Sequence, residues 1–598
     1  MRRPPPPLLD AKLSGSPLEI WKLIRRTLAY MRPYAALRNT LIVLACTRAS
    51  LLLAVMWVFT LVLNGPVARQ DPGGIFWGTL AFAAVALASQ IIMGFRVYTA
   101  LRLGESVARD MRMQLYTHLQ RMTARFYHKA EVGSLISRMT SDIEQVRIGV
   151  QDVCFISLVN LLQMGLGLAL MAWTDRVLFC LVILIAPILF FTNRVFRKKM
   201  GAAQRRLLES YSRVSAAVSE TVDGVRVTQG FVRREVNNEA FQELLADHTH
   251  NLLQASRANA TFLPILESTM HLFVVLLLVL GGYRVFYCDV PYTVVVQFLF
   301  MAGLVLEPVR VLAMQYNQAF ASLAGAERLF RVLDEPPDWE DAPDATDLPP
   351  LQGRVEFRDV SFGYEPGVHV LHHIDLVAEP GQTIALVGHT GSGKSSMINL
   401  LTKAYLPTSG GIFFDGREIR TIRSESLRRQ LGIVPQRSFL FSGTVMENIR
   451  FSCPSATDEE ILQAARELDF LDLIEAMPNG FQTTVGEGGN GLSVGQRQVV
   501  CFLRAWLAQP RILVLDEATS AIDAITEARL QRALEKLLCG RTSFVVAHRL
   551  STIMRADQIL VLDHGRIVER GTHTELLERR GVYYQLHRQF MENTSALH

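Results

Sequence analysis

Apolar residues are spread unevenly along this chain. Before about residue 320 they gather into runs long enough to cross a bilayer as helices. Six such runs are read: Leu41–Leu63, Ile75–Val97, Cys154–Trp173, Val177–Phe196, Leu266–Phe286 and Val294–Met314. Only "TDR" separates the third from the fourth, and "CDVP" (288–291) separates the fifth from the sixth, so both junctions are tight turns.

The other connections are long. Some fifty residues between spans two and three carry Arg102, Arg109, Arg112, Arg121, Arg125, Lys129, Arg138 and Arg147. A similar stretch between spans four and five carries Arg197, Lys198, Lys199, Arg205 and Arg206. The short loops hold few basic residues, such as Arg69 and Arg176. The positive-inside rule therefore places the long connections and both termini in the cytoplasm. These connections have few glycines and prolines and mixed charge, as in "ESVARDMRMQLYTHLQRM", which predicts helix. A continuous helix from Val177 to Val222 would run about 69 Å against a hydrocarbon core of about 30 Å, so these helices project into the cytoplasm. They pause at "FYHKAEVGS" (126–134) and "DGVRVTQGF" (223–231), where short contact helices are expected to touch the soluble half.

Beyond the last span the pattern changes. "LDEPPDWEDAPDATDLPPLQG" (333–353) is acidic and proline-rich, and reads as an extended, poorly packed linker. Apolar strand-like runs then alternate with helical patterns, from "GRVEFRDVSF" through "TIALVG", "ILVLDEA" and "TSFVVAHR" to "QILVLDHGRIVERG". That alternation predicts an α/β domain with a largely parallel sheet.

Composition agrees with a chain partly in lipid: 49% of its 598 residues are hydrophobic and 20% charged. The net charge of +5 is modest, and no nucleic-acid partner is expected. Seven scattered cysteines form no C-x-x-C pair, which argues against a zinc site or a disulfide framework. The N-terminal "MRRPPPPLLDAKLSG" has arginines but no apolar core or cleavage site close behind, so an uncleaved, multispanning protein is expected.

Two motifs carry chemistry. "GHTGSGKSS" fits G-x-x-x-x-G-K-[ST], spanning Gly388, His389, Thr390, Gly391, Ser392, Gly393, Lys394, Ser395 and Ser396, with a strand before it and a helix after. Its glycines let backbone N–H groups approach phosphates, Lys394 neutralises their charge, and Ser395 ligates Mg²⁺. "RILVLDEATS" reads as a buried parallel strand ending in two carboxylates. Asp516 would hold Mg²⁺, and Glu517 would polarise the attacking water. A third stretch, "GNGLSVGQRQ" (489–498), opens a helix and forms a second natural anion seat.

P-loop, "LSVGQ", "LVLDEATS" and "AHR", in this order, resemble the nucleotide-binding domain of an ABC transporter. With six spans fused ahead of it, the chain is similar to a half-transporter of the multidrug and lipid exporter group. The resemblance implies a head-to-tail dimer in which "LSVGQ" of one chain covers the ATP held by the other. Ser493 and Gly495 would then bond the γ-phosphate across the interface, with Gln496 shaping the turn. It also implies that Tyr364 stacks on adenine, Gln436 senses Mg²⁺ and the membrane domain, His548 holds the γ-phosphate, and Asp523 communicates across the dimer. Phe439, Leu440 and Phe441 would line a groove for the contact helices. "TTVGEGG" would meet the partner's contact helix. The chain departs from the family pattern at Val494, where glycine is usual, and at Gly488, where a basic residue is usual. A β-branched residue disfavours positive φ, so ordinary helical or extended backbone is expected at Val494.

The expected fold class is an α-helical six-span transmembrane domain followed by an α/β P-loop nucleotide-binding domain. Its boundaries are an N-terminal cytoplasmic segment (1–35), the transmembrane domain with its helical extensions (36–332), the linker (333–353) and the ATP-binding cassette (354–598). The expected function is ATP-driven export of a lipid-like or amphipathic, drug-like substrate, with ATP and Mg²⁺ as cofactors. A second half-transporter, identical or not, is the expected partner, alongside membrane lipid. The expected location is a plasma membrane, the inner membrane of a bacterium. The alternative is a regulatory or gated-channel subunit with little turnover, against which intact Glu517 and His548 argue. Finally, Glu267 and Arg310 lie about 28 and 27 Å inward from the outer ends of spans five and six, and Glu307 is one turn from Arg310. All three are expected to line an inward-facing mouth, with Glu267 or Glu307 pairing to Arg310.

Overall fold

The computed structural model describes residues 17–288, 290–436, 438–516, 523–546 and 550–595. The chain divides into two compact units. The first comprises the chain up to Gln120 together with Val132–Glu335, and the second comprises Arg121–Glu131 and Pro336–His598.

The first unit is helical. An amphipathic helix α1 (Pro17–Ala29) precedes α2 (Ala35–Val62) and α3 (Pro72–Arg121). After the short α4 (Ala124–Lys129), helices α5 (Val132–Ser137), α6 (Ile143–Ile148) and α7 (Cys154–Thr174) join through π-helical runs at Arg138–Asp142 and Gly149–Val153. Then come α8 (Arg176–Asp223), α9 (Val225–Gly230), α10 (Arg234–Tyr287) and α11 (Tyr292–Leu333). At 48 residues α8 is about 72 Å long, so the expected projection beyond the bilayer is met. The pauses at 126–134 and 223–231 hold α4 and α9.

Among the described residues, five stretches are long and apolar enough to span a membrane: Ala35–Val67, Pro72–Arg121, Val132–Thr174, Glu267–Tyr287 and Tyr292–Leu333. The fourth expected span begins in the apolar segment Arg176–Ile185 and continues into positions whose side chains are partly outside the description. The "TDR" turn works through Asp175. Its carboxylate caps α8 by accepting from Val177 N (2.9 Å) and Leu178 N (3.0 Å), and it also holds Arg284 of α10. Leu178, Ile185, Phe273, Leu277, Phe298 and Met301 form a buried core among α8, α10 and α11. Nearer the extensions, α11 packs closely on residues 138–153. An added Cβ at Gly149 would fall 1.9 Å from Ser322 Oγ, and one at Gly325 would fall 2.9 Å from Asp142 O. The buried Asp142 carboxylate there accepts from Arg138 (2.8 Å) and from Arg328 Nε (3.1 Å).

Two expectations need correction, and one left open is decided. α1 was not anticipated; Arg26 fixes it, pairing with Asp334 (2.6 Å) and lying 4.1 Å over the Phe330 ring. Of the two carboxylates expected to pair with Arg310, it is Glu307 that does so, three residues back on the same helix (3.1 Å), whereas Glu267 acts on it only through space. The linker is extended but not loosely packed, because Ala345, Leu348 and Leu351 are buried. Leu348 N donates to Ser426 Oγ (2.6 Å) and Leu351 N to Gln430 Oε1 (2.7 Å). Asp341 of the linker accepts from Lys403 Nζ (2.8 Å), an ammonium only 1% exposed.

The second unit is α/β. A six-stranded sheet has the order β12-β11-β3-β10-β9-β6. Its strands are β3 (Thr383–Val387), β6 (Leu431–Val434), β9 (Ile512–Asp516), β10 (Thr542–Val546), β11 (Gln558–Asp563) and β12 (Arg566–Gly571). All neighbours are parallel except β11 and β12. A smaller antiparallel sheet orders β2-β1-β4-β5, from β1 (Val355–Phe362), β2 (Leu371–Ala378), β4 (Ser409–Phe414) and β5 (Arg417–Glu418). A two-stranded ribbon pairs β7 (Gly443–Thr444) with β8 (Thr484–Val485). Two cores flank the large sheet, one under each face. The central strands are therefore buried on both sides, which is why they read as unbroken apolar runs.

Candidate nucleotide site

Because β3, β9 and β6 run parallel, their C-terminal ends share one edge of the sheet. That edge receives the loop after β3, Asp516 at the end of β9 and Gln436 just past β6. Ligands of open parallel sheets bind at this edge.

The loop after β3 leads into α12 (Lys394–Leu401). Two of its glycines are dictated by space as well as by backbone angle. At Gly388 an added Cβ would lie 2.2 Å from Leu562 O. At Gly393, the N-cap of α12 with φ +106°, it would lie 2.6 Å from Leu371 Cδ2. Only a residue without Cβ lets the chain turn here and aim the first N–H groups of α12 outward. Lys394 is 8% exposed, and its ammonium donates to the carbonyls of Gly388 (2.8 Å) and His389 (2.9 Å). Burial lowers its pKa below the usual lysine range, and the nearby Asp516 carboxylate opposes that shift. His389, Thr390, Gly391 and Ser395 are exposed, whereas Ser392 and Ser396 are buried. The two serines after Lys394 thus face opposite ways: Ser395 is open, and Ser396 Oγ is 3.0 Å from the Tyr364 hydroxyl.

Tyr364 is held through its hydroxyl and its carbonyl. Its hydroxyl also accepts from Asn399 Nδ2 (3.1 Å), and its ring packs edge-on against Phe362 and Tyr405. Its carbonyl accepts from Arg125 Nε (3.1 Å). Arg125 lies on α4, so the first contact helix reaches the loop that carries Tyr364. Thr123 donates to Asp338 (2.7 Å), and His128 stacks on Tyr405 at 6.5 Å. A cleft of ≈ 510 Å³ lies beside this loop, lined in part by Arg125, Trp339, Glu365, His369 and Tyr405.

The "LSVGQ" stretch begins α17 (Val494–Leu507), after the four short helices α13–α16 between residues 424 and 475. Ser493 is its N-cap. Ser493 Oγ accepts from Gln496 N (3.2 Å), and Gln496 Oε1 accepts from Ser493 N (2.8 Å). This capping box fixes the helix start. Val494 is the first helical residue, 37% exposed, so its side chain meets no positive φ. Gly495 follows, buried. Gly488 does require glycine conformation, at φ +65°. Asp523 is the N-cap of α18 (Ala524–Leu538), accepting from Thr526 N (2.9 Å), and those hydrogen bonds hold its carboxyl below the usual range. Gln436 is exposed. Glu517 and His548 lie outside the described residues.

Of the proposed groove, Phe439 and Phe441 are exposed, but Leu440 is fully buried in the core and cannot line it. Phe451 takes its place, stacked on Phe441 at 4.6 Å. Arg504 of α17 supports this cluster by donating to Phe439 O (2.9 Å) and to Asn448 O (2.5 Å). The carbonyl contacts of Arg125 and Arg504 both escaped the sequence reading, which took Arg125 only as a cytoplasmic positive charge, since an arginine in a helical pattern carries no sign that it bonds a distant carbonyl.

For a divalent cation, the oxygens at this edge are the open Ser395 hydroxyl, the Asp516 carboxylate and the Gln436 amide. Such hard donors suit Mg²⁺ bound partly through phosphate and water. Among the described residues no group of three His, Cys, Asp or Glu offers a different metal centre.

Comparison with known proteins finds two family regions in the chain. Residues 40–309 match the ABC transporter transmembrane region, and residues 371–520 match the ABC transporter family itself. The chain is 35% identical over 575 residues to an uncharacterized ABC transporter ATP-binding protein of Bacillus subtilis, covering 94% of each chain. It is 36% identical over 535 residues to a fatty acid ABC transporter ATP-binding/permease protein of Mycobacterium tuberculosis, covering 89% of this chain and 84% of the relative. It is 32% identical over 572 residues to an ATP-dependent lipid A-core flippase of Syntrophus aciditrophicus, covering 96% and 95%.

Proposed function

This chain belongs to the ABC transporter family as an integral membrane protein with a fused ATP-hydrolysing domain, and from that premise we propose that two such half-transporters form an exporter for lipid-like or amphipathic substrates. The observation that carries the dimer is the pair of unlike anion seats in one domain. The P-loop seat has Lys394 and the open N–H groups of α12. The α17 seat has no lysine, and its Ser493 oxygen already accepts from Gln496 N, leaving the O–H proton to donate elsewhere. Each is half a site, and head-to-tail pairing completes both.

In each completed site Lys394 and the α12 N–H groups hold phosphate oxygens, while Ser493 and Gly495 of the second chain close over the γ-phosphate. Mg²⁺, when bound, supplies charge neutralisation between phosphate oxygens; Ser395, Asp516 and Gln436 would hold it. Glu517 orients the attacking water, and His548 supports the γ-phosphate. ATP favours the closed pair of domains and hydrolysis reopens it, a population shift that α4 and α9 would pass to the spans. The long extensions and both termini lie on the cytoplasmic side of a bacterial plasma membrane. The lipid class of cargo is supported by the lipid named in the flippase and fatty acid relatives.

The test is ATPase activity of the purified chain in lipid nanodiscs, with and without lipid additives. Turnover that rises with a lipid ligand is expected. A chain that binds ATP without turnover would instead support the gated regulatory subunit.

A further inference from the structure

Arginines near the inner end of a membrane bundle normally have one of two fates. They snorkel to the interface, or they hold a carboxylate. Several here follow the second course: Arg310 holds Glu307, Arg147 holds Glu144 and Arg138 holds Asp142. Arg48 and Arg96 follow neither. Arg48, half-buried on α2, donates to the carbonyl of Ser89 (2.8 Å) and to its hydroxyl. Arg96, on α3, is 6% exposed, so it does not snorkel. One Nη donates weakly to Met93 Sδ (3.3 Å), and its Nε is buried with no hydrogen-bond partner. No ion pair within 4.0 Å joins either guanidinium to a carboxylate among the described residues. Asp152, just before α7, is the carboxylate within electrostatic reach of Arg96, and Arg48 is the neighbouring cation.

Depth places the group at headgroup level. Arg48 lies nineteen residues below Val67, about 28 Å at helical rise. Asp152 lies twenty-two residues below Thr174, about 33 Å, and Arg96 twenty-four below Pro72, about 36 Å. Against a hydrocarbon core of about 30 Å, these groups straddle the inner boundary. Asp152 also acts on Arg147, which Glu105 and Glu144 already hold, so Arg48 and Arg96 are left without a paired carboxylate among the described residues, with an orphan N–H buried among the helices. A buried guanidinium donor without an acceptor is costly to keep, and a ligand oxyanion would satisfy it.

We propose that Arg48 and Arg96, between α2, α3 and the start of α7, form a seat for the singly charged oxyanion headgroup of an acyl-chain ligand entering from the inner leaflet. The proposal rests on the lipid-export reading and narrows it to acidic amphiphiles. Two sources share this chemistry: the carboxylate of a free fatty acid and the phosphate diester of an anionic phospholipid. Asp152 sets the charge balance, favouring a monoanion over a dianion.

The experiment uses the full chain in phosphatidylcholine nanodiscs, titrated with oleate, with dioleoyl phosphatidylglycerol, or with uncharged methyl oleate. Ligand retention is read directly, by native mass spectrometry, alongside basal ATPase. Retention of oleate or of phosphatidylglycerol, but not of methyl oleate, is expected, and the retained one identifies the source. Arg96→Gln and Arg48→Gln should each weaken retention about tenfold, the scale of a lost charge-assisted hydrogen bond, with basal ATPase unchanged. Arg96→Lys should keep most of it. Asp152→Asn should retain the acidic ligand as well or better. If the arginines serve only as a structural counter-charge to Asp152, Asp152→Asn will lower thermal stability as much as Arg96→Gln, and neither will alter oleate retention; that result overturns the proposal. Equal retention of methyl oleate and oleate also overturns it. Charge-selective retention in a chain without ATPase would leave the seat standing and remove the exporter reading.

Discussion

The starts of α12 and α17 are both helix N-termini in the same unit, yet they are built in opposite ways. At α12 the turn is fixed by the absence of side chains. Gly388 and Gly393 leave no room for Cβ, the cap residue is left-handed, and a buried lysine supplies charge. At α17 the turn is fixed by side chains. Ser493 and Gln496 close a reciprocal box that satisfies two backbone donors within the chain. The first seat is therefore open and cationic, suited to grip several phosphate oxygens alone. The second is pre-satisfied and uncharged, suited to add a few bonds to an anion already neutralised elsewhere. A helix N-terminus does not define one role; what caps it decides whether it binds alone or completes another site.

That contrast is broken most severely at Ser493. Ser493→Arg should abolish ATPase, and in a linked dimer the loss should fall on the other chain's P-loop. Damage at the mutant chain's own P-loop would end the head-to-tail scheme. Lys394→Ala should weaken nucleotide binding by roughly tenfold to hundredfold, the range for a charged hydrogen-bond donor. Glu517→Gln should keep binding while losing turnover, because it removes the water-orienting group and leaves the phosphate cradle. Equal affinity losses in the two variants would undo that assignment. Without nucleotide, Ser493→Ala should cost about 1 kcal/mol of domain stability by opening the capping box, read as a lower urea midpoint. The smallest effect belongs to Val494→Gly, which should change ATPase and stability only slightly. A large gain in either would mean that valine at the first helical turn obstructs the seat.

Much of this was legible in the chain. Span positions, the extended α8, the pauses at α4 and α9, the parallel sheet and the loop before Lys394 follow from local patterns, because apolar period and glycine spacing are local quantities. The ordinary backbone at Val494 followed from β-branching alone. What escaped depends on distant partners. The linker looked loose because it is proline-rich and acidic, yet Lys403 and Ser426 hold it, far along the chain. Leu440 looked like its phenylalanine neighbours, and only packing sends it inward. Arg310 offered two carboxylates at similar depth, and the helical three-residue spacing selected Glu307. The exposed hydroxyl at Ser395 and the buried one at Ser396 differ only in which side of α12 they occupy.

The grouping of Arg121–Glu131 with the nucleotide unit has a topological consequence. The backbone passes between the units at three places, near residues 120, 131 and 335, so neither unit is a bead on a string. Cutting the peptide after Glu335 would remove one covalent crossing, and the two left would join Arg121–Glu131 to the first unit alone. A protease acting there should give two bands on a denaturing gel and a single peak on a sizing column. The eleven residues Arg121–Glu131 belong to the first fragment by covalent bond and to the second by packing, through contacts such as Thr123 with Asp338 and Arg125 with the Tyr364 carbonyl, and that plug is what would hold the cut pieces together.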